Sequence, residues 1–515
     1  MQLEEFPIEL NKISGAVPAW RGTVDAEQWH SACERVHTAG GRLTALWGSD
    51  ERACGRGYAV YAALTVNSGL VCLRLDVEER YPKFPDISDL FPSANRMQRA
   101  VHDMLGLHPS GAADHRKWLR HGAWAGNQYP LRRDFTPAGH FALEDDNYPF
   151  ITVTGEGVHE IPVGPVHAGI IEPGHFRFQI VGEKILRLEE RLGYTHKGIE
   201  KLFESVTQRE AAKLAGRING DSTVAYAWAY AMALEGVCQV TPPARALWLR
   251  ALLLERERIM NHLGDLGALG NDAGFAFGLA QFSRIKEDVL RTNRALFGHR
   301  YLMDAIIPGG SAHDLDATAK EQLVNEIRRL HDEVTLLKNI YDEHAGMQDR
   351  FLMTGRVTPE LAARLGLTGF AGRASGQAWD LRAQFPCAPY DQLEVRMATH
   401  RNGDVAARVT VRFEEIFESL RLCRTLLEQL PEGVIIADLP TAPEGTFGVG
   451  WVEGWRGEIL IALSTGKDNG IHRVHAHDPS WQNWPALEYA VIGNIVPDFP
   501  LINKSFNLSY SGHDL

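Results

Sequence analysis

Apolar and polar positions change rhythm twice along the chain. Near the N-terminus two apolar runs, Ala59–Val66 and Leu70–Leu75, bracket Asn67-Ser68-Gly69 and predict two strands joined by a turn. From Ser93 to Leu105 the apolar residues Met97, Val101, Met104 and Leu105 recur near one face, which predicts a helix. The stretch His121 to Ala142 is rich in Gly, Pro, Arg and aromatics without a period, and reads as an extended arm. Strand-like Phe150–Val153 and Phe176–Val181 then flank a loop running from Gly164 to His175.

Beyond that loop the spacing turns helical, over Lys184–Glu204, Ser222–Val237 and, after Pro242 and Pro243, Arg245–Leu266. Further helices are expected at Gln281–Phe297, Ala317–Tyr341, Pro359–Leu365 and Ala406–Gln429, before strands return at Thr446–Glu453 and Glu458–Ser464. The pattern predicts an α+β protein in two parts. Residues 1–145 form a small mixed α/β domain, and residues 146–515 a mainly helical domain with short antiparallel sheets.

Composition narrows the function classes. The 515 residues are 44% hydrophobic and 23% charged, ordinary for a globular chain with room for two or three cores. A net charge of −12 argues against non-specific nucleic-acid binding. No apolar run is long enough to span a bilayer, and the acidic N-terminus lacks the basic and apolar regions of a signal peptide, so a cytoplasmic location is expected. The six cysteines are scattered with no CxxC, which predicts free thiols rather than disulfides or an iron–sulfur cluster.

Several motifs carry a family resemblance. They include Gly164-Pro165-Val166-His167, Tyr194-Thr195-His196-Lys197-Gly198-Ile199-Glu200-Lys201 and Glu257-Arg258-Ile259-Met260-Asn261-His262-Leu263. Later come Gly298-His299-Arg300, Pro308-Gly309-Gly310 and Gly369-Phe370-Ala371-Gly372-Arg373-Ala374-Ser375-Gly376. With these the large domain resembles the large subunit of membrane-bound [NiFe] hydrogenases of the formate-hydrogenlyase type, and its homologue, the 49-kDa subunit of respiratory complex I. Tyr81-Pro82, Pro85-Asp86-Ile87-Ser88 and Tyr129-Pro130-Leu131-Arg132-Arg133-Asp134-Phe135 make the first domain similar to the complex I 30-kDa subunit.

The resemblance sharpens attention on four positions. In R-x-C-G-x-C and C-x-x-C motifs, cysteines would stand at 219, 222, 509 and 512; here those positions are Asn219, Ser222, Ser509 and Gly512. A NiFe centre needs soft thiolate ligands, so these four imply a vestigial site with no metal. The tyrosine that complex I offers to quinone falls near Gly220 and is absent, while the longer Gly164–His175 loop is of hydrogenase type. By resemblance, Glu200 is a proton-relay carboxylate whose pKa burial would raise. His167 and His175 are candidate hydrogen-bond donors to a quinone. Arg217 would sit beside the lost metal and pair with Asp221 or Asp514. Arg258, His262, Asp265 and Asp272 would lie near the site floor.

The resemblance further implies a peripheral subunit on the cytoplasmic face of the inner membrane. It would hold no cofactor itself and would pack against a small [4Fe-4S] subunit, complex I-like membrane subunits and antiporter-like subunits. Two functions follow: electron transfer to a quinone or another acceptor, coupled to proton or ion translocation, or a non-catalytic coupling scaffold. A cavity shared by His167, His175 and Glu200 would support the first. A pocket filled by Arg217, Tyr510 and apolar side chains would support the second.

Overall fold

A computed structural model describes residues 3–136, 143–167 and 171–515. The N-terminal part holds a sheet of β1 (Ala19–Val24), β2 (Arg42–Asp50), β3 (Tyr58–Val66) and β4 (Gly69–Val77), with Asn11–Lys12 as a short edge. From that edge the order is β1-β4-β3-β2, and only the β1/β4 pairing is parallel. The β3–β4 turn falls on Asn67-Ser68, as the apolar runs predict. Two helices flank the sheet, α1 (Ala26–Thr38) and α2 (Ala94–Leu105). Asp25 and Gln28 close a reciprocal cap on α1, which fixes its start.

The large part begins with a three-stranded antiparallel sheet, β5 (Val158–Val163), β6 (His175–Val181) and β7 (Lys184–Arg191). Two expectations fail here. Lys184–Arg191 is a strand, because the turn at Gly182 folds it back onto β6 in an antiparallel pairing that extends to Arg191 with one bulge at Leu186. Its helical spacing survives only in the short α3 (Ile199–Phe203). Phe150–Val153 forms no strand; the Ile151 N–H goes to the Glu189 carboxylate instead of a neighbouring strand.

The helical body follows the predicted spacing closely. It comprises α4 (Thr223–Cys238), α5 (Ala244–Asp272), α6 (Ala276–Phe297), α7 (Ala317–Glu343) and α8 (Val405–Glu428). α4 is apolar on all faces, and every residue from Thr223 to Val237 is buried. It lies against β8 (Phe447–Glu453), so closely that a Cβ at Gly450 would meet the Ala229 carbonyl oxygen at 1.8 Å. β8 continues into β9 (Glu458–Thr465) and an unforeseen β10 (Ile471–His477). Helices α9 (Ser480–Ala490) and α10 (Phe499–Phe506) then carry the C-terminal segment back into the core.

The two parts are joined through the last sheet. Trp47 stacks on His475 with ring centroids 5.0 Å apart, Arg42 pairs with Glu458 at 2.7 Å, and Gln482 donates to the Thr44 carbonyl at 2.6 Å. The predicted arm is irregular as expected over residues 121–136, but it is packed down there: Trp124 and Leu131 are buried; residues 137–142 of it lie outside the described residues.

Candidate functional site

The four positions at which the resemblance would place cysteines converge. Asn219 and Ser222 lie just before α4, and Ser509 and Gly512 follow α10. The Asn219 amide donates to Ser509 Oγ at 2.6 Å, and the Gly512 N–H donates to the same oxygen at 2.8 Å. Ser222 Oγ accepts from Trp455 Nε1 at 3.1 Å and from Arg456 at 3.2 Å. Through Asp221, which bonds both Asn219 and Ser222, the four positions lie in one hydrogen-bonded cluster.

Two ionic features that sequence reasoning missed fill the space between them. Arg456, on the turn between β8 and β9, forks onto Asp221 at 2.5 and 2.7 Å and lies 3.9 Å over the Trp455 ring. Asp478, just past β10, accepts from Tyr226 OH at 2.6 Å and occupies the room a side chain at Gly512 would need. The phenol of Tyr226 on a mainly apolar helix and the run Trp455-Arg456-Gly457 inside a strand hairpin were the available signals. None of the six cysteines stands at the pocket, and amide, hydroxyl and carboxylate groups already bonded to one another are the wrong donors for a NiFe centre. The donor set does not fit that group.

Charges below the pocket are paired, as low polarity requires. Glu257 of α5 caps α4 by accepting the Val224 and Ala225 N–H groups at 2.7 and 3.2 Å, and burial pushes its pKa up to about 8. Asp265 binds Arg412 at 2.9 Å and also accepts from Asn507. His262 meets Glu415 at 2.8 Å, Arg258 donates to the Glu453 carbonyl at 2.8 Å, and Asp272 binds Lys504 at 2.7 Å. Arg258, His262, Asp265 and Asp272 thus lie around the pocket floor in bracing contacts.

The remaining candidates are placed apart. Arg217 is correctly expected to pair but not with Asp221 or Asp514: it forks onto Asp304 at 2.7 and 2.8 Å, half-exposed. Arg456 already holds Asp221, and Thr195 and His513 hold Asp514. Glu200 is buried. It bonds His475 Nδ1 at 2.8 Å and Arg473 at 2.9 Å. Burial alone would raise its pKa, but Arg473 and His475 outweigh it and hold the carboxyl at about 2, opposite to the expected direction.

His167 and His175 both brace their loop: the first donates to the Pro165 carbonyl at 3.2 Å, the second to the Gly164 carbonyl at 3.3 Å. His175 Nε2 also accepts from Arg177. His167 Nε2 is buried and has no hydrogen-bond partner among the described residues; its ring lies 6.4 Å from that of Tyr510. The cavity that Glu200 lines includes neither His167 nor His175. It has a volume of about 40 Å³, room for a few waters, and is shared with His475, His477 and Asp514. The second expectation had Arg217, Tyr510 and apolar side chains filling the pocket; the four positions are instead bridged by the Arg456–Asp221 ion pair and the Tyr226–Asp478 hydrogen bond, and Arg217 stands outside with Asp304.

Comparison with known proteins agrees with this architecture. Residues 22–141 match the model of the respiratory-chain NADH dehydrogenase 30 Kd subunit, and residues 272–444 that of the 49 Kd subunit. Formate hydrogenlyase subunit 5 of Escherichia coli is 33% identical over 92% of this chain and 85% of its own length. The chain belongs to this family of fused 30-kDa and 49-kDa subunits. Hydrogenase-4 component G, also of Escherichia coli, is 31% identical over 92% of this chain and 84% of its own. A chain from the membrane-bound sulfane sulfur reductase, an archaeal respiratory membrane complex, shares the fold with a TM-score of 0.66 at 24% identity. That match covers 71% of this chain and all of the other. As a family member, this chain is a complex I-like, hydrogenase-related component of a membrane complex. No helix among its described residues is long and apolar enough to cross a membrane.

Proposed function

We propose that this chain is a metal-free large subunit that neither evolves nor takes up hydrogen. It couples electron flow in a [4Fe-4S] partner subunit to proton or ion movement in membrane partners, including antiporter-like ones, from the cytoplasmic face. It holds no cofactor of its own. The observation that carries this reading is the closure of the pocket by Arg456–Asp221 and Asp478–Tyr226 across the four former ligand positions. That cluster ties α4, the β8–β9 turn and the C-terminal segment into one charged unit. A displacement of any of these elements changes its ion pairing, which is how such a unit responds to a neighbouring redox change without bond chemistry.

A second reading, electron transfer to a quinone, is favoured by one observation. The unpartnered His167 Nε2 is a group suited to a quinone carbonyl.

Purification of the complex with its native partners, followed by metal analysis and by hydrogen, quinone and ion-transport assays, tests both. Coupling predicts substoichiometric nickel, no hydrogen turnover, and transport that survives His167→Ala but fails in Arg456→Met. Quinone reduction abolished by His167→Ala would replace it with the second reading. Stoichiometric nickel with hydrogen turnover would sink both.

A further inference from the structure

The chain carries a net charge of −12, yet one cleft is strongly basic. It lies where the N-terminal sheet meets the β9–β10 turn and has a volume of about 310 Å³. Its basic lining is Arg21, Arg56, Arg74, Arg133 and Lys467. Against them stand the carboxylates of Glu51 and Glu444.

Internal pairing neutralises only part of this. Glu51 is engaged by Ser49 at 2.8 Å and by Arg56 at 3.4 Å. Asp76 holds Arg74 at 2.6 Å, and Glu204 holds Arg133 at 3.1 Å. Arg21 has no carboxylate partner among the described residues. It donates to Tyr61 OH at 3.3 Å and lies 4.6 Å over the Phe447 ring, so its planar fork is fixed by stacking. Lys467 stands exposed on the β9–β10 turn and likewise makes no ion pair among the described residues. A fixed guanidinium and a free ammonium lining one cleft can together recognise an oxyanion, the first bidentately and the second as a point charge.

We propose that this cleft binds a compact multivalent oxyanion, a small ligand bearing phosphate or pyrophosphate, with Arg21 and Lys467 as its principal contacts. A cation is the poorer occupant, although Glu51, Cys54 and His472 bring their ligand atoms within 4.8 Å of one another. Arg133 Nη2 donates to His472 Nδ1 at 3.1 Å, so the ring proton sits on Nε2, the nitrogen that would have to bind the metal.

The test is isothermal titration of the full chain with inorganic pyrophosphate, with sulfate at matched ionic strength as the control and ADP as a second probe. Saturable pyrophosphate binding is expected, weakened about tenfold by Arg21→Gln and again by Lys467→Gln. Arg291→Gln, on a distant exposed helix face, leaves it unchanged. ADP binding tighter than pyrophosphate identifies a nucleotide; equal binding identifies the phosphate group alone. Lys467→Gln alters only an exposed side chain, so its effect is read on a folded protein with unchanged ligand-free melting. The proposal is overturned if pyrophosphate does not bind saturably, if sulfate matches it, or if both substitutions leave affinity intact. It is equally overturned if the cleft takes up stoichiometric zinc that Cys54→Ser abolishes.

Discussion

Asp478 stands where a side chain at Gly512 would have to go: a Cβ built on Gly512 lies 2.3 Å from Asp478 Oδ2 and 2.8 Å from Asp478 Cγ. Gly512→Cys is therefore expected to destabilise the fold by roughly 1–3 kcal/mol through overpacking. Adding Asp478→Ala should recover part of that loss in urea denaturation. Cysteines placed at all four positions should still fail to hold nickel in stoichiometric amount by metal analysis, because Asp478 and Arg456 occupy the space between them.

Arg456 and Asp221 form a forked pair whose guanidinium is buried and whose carboxylate is about one-third exposed, at 6% and 32%. Arg456→Met should cost about 2–4 kcal/mol, since it strands Asp221 beside buried hydroxyls. The double variant Arg456→Met/Asp221→Asn should cost less than the sum of the singles. A thermodynamic cycle measured by thermal melting checks this; additive losses would show that the two residues do not act together.

Glu200 links stability to acid. Its folded pKa of about 2 lies below the ordinary value of 4.5. Its contribution is thus fully present above pH 4.5 and disappears as pH falls through 2, amounting to about 3 kcal/mol. Denaturant melts of the wild type and Glu200→Gln should differ most at neutral pH and converge near pH 2.

The domain junction has the opposite sign. Arg96 of α2 reaches Glu190 of β7 at 2.5 Å and Glu488 of α9 at 2.9 Å, so two carboxylates share one guanidinium. Burial pushes Glu190 up to about 8 despite Arg96, with Glu488 adding repulsion. A carboxyl raised this way contributes fully below its ordinary value of 4.5 and loses that contribution as pH rises through 8. Glu190→Gln should flatten the decline in stability between pH 5 and 8 while leaving the value near pH 5 almost unchanged.

Much of the body was legible because its helices are long and periodic. α7 begins at the residue its pattern indicates, and Pro359–Leu365 is matched residue for residue. Lys184–Arg191 misled because Ile185 and Leu188 are spaced like a helix turn, and only the pairing with β6 overrides that spacing. The closeness of Asn219 and Ser222 to Ser509 and Gly512 was legible only through motif comparison, since nothing in their local pattern joins residues before α4 to residues after α10. Arg456 and Asp478 stayed hidden for the same reason. Each looks like a surface charge until distant segments close over it. The direction of the Glu200 pKa was missed because burial was foreseen and its partners on β10, Arg473 and His475, were not.

The capping of α4 by the carboxylate of Glu257 has a consequence for how the chain matures. A helix start that depends on an inserted ion stays unfinished until the ion arrives. Here a neighbouring helix completes it, and the Asn219–Ser509 bond ties the last segment to the same place. On the metal-free reading proposed above, ripening does not wait for nickel, so cells starved of that metal should accumulate the protein in the same soluble yield as cells given plenty.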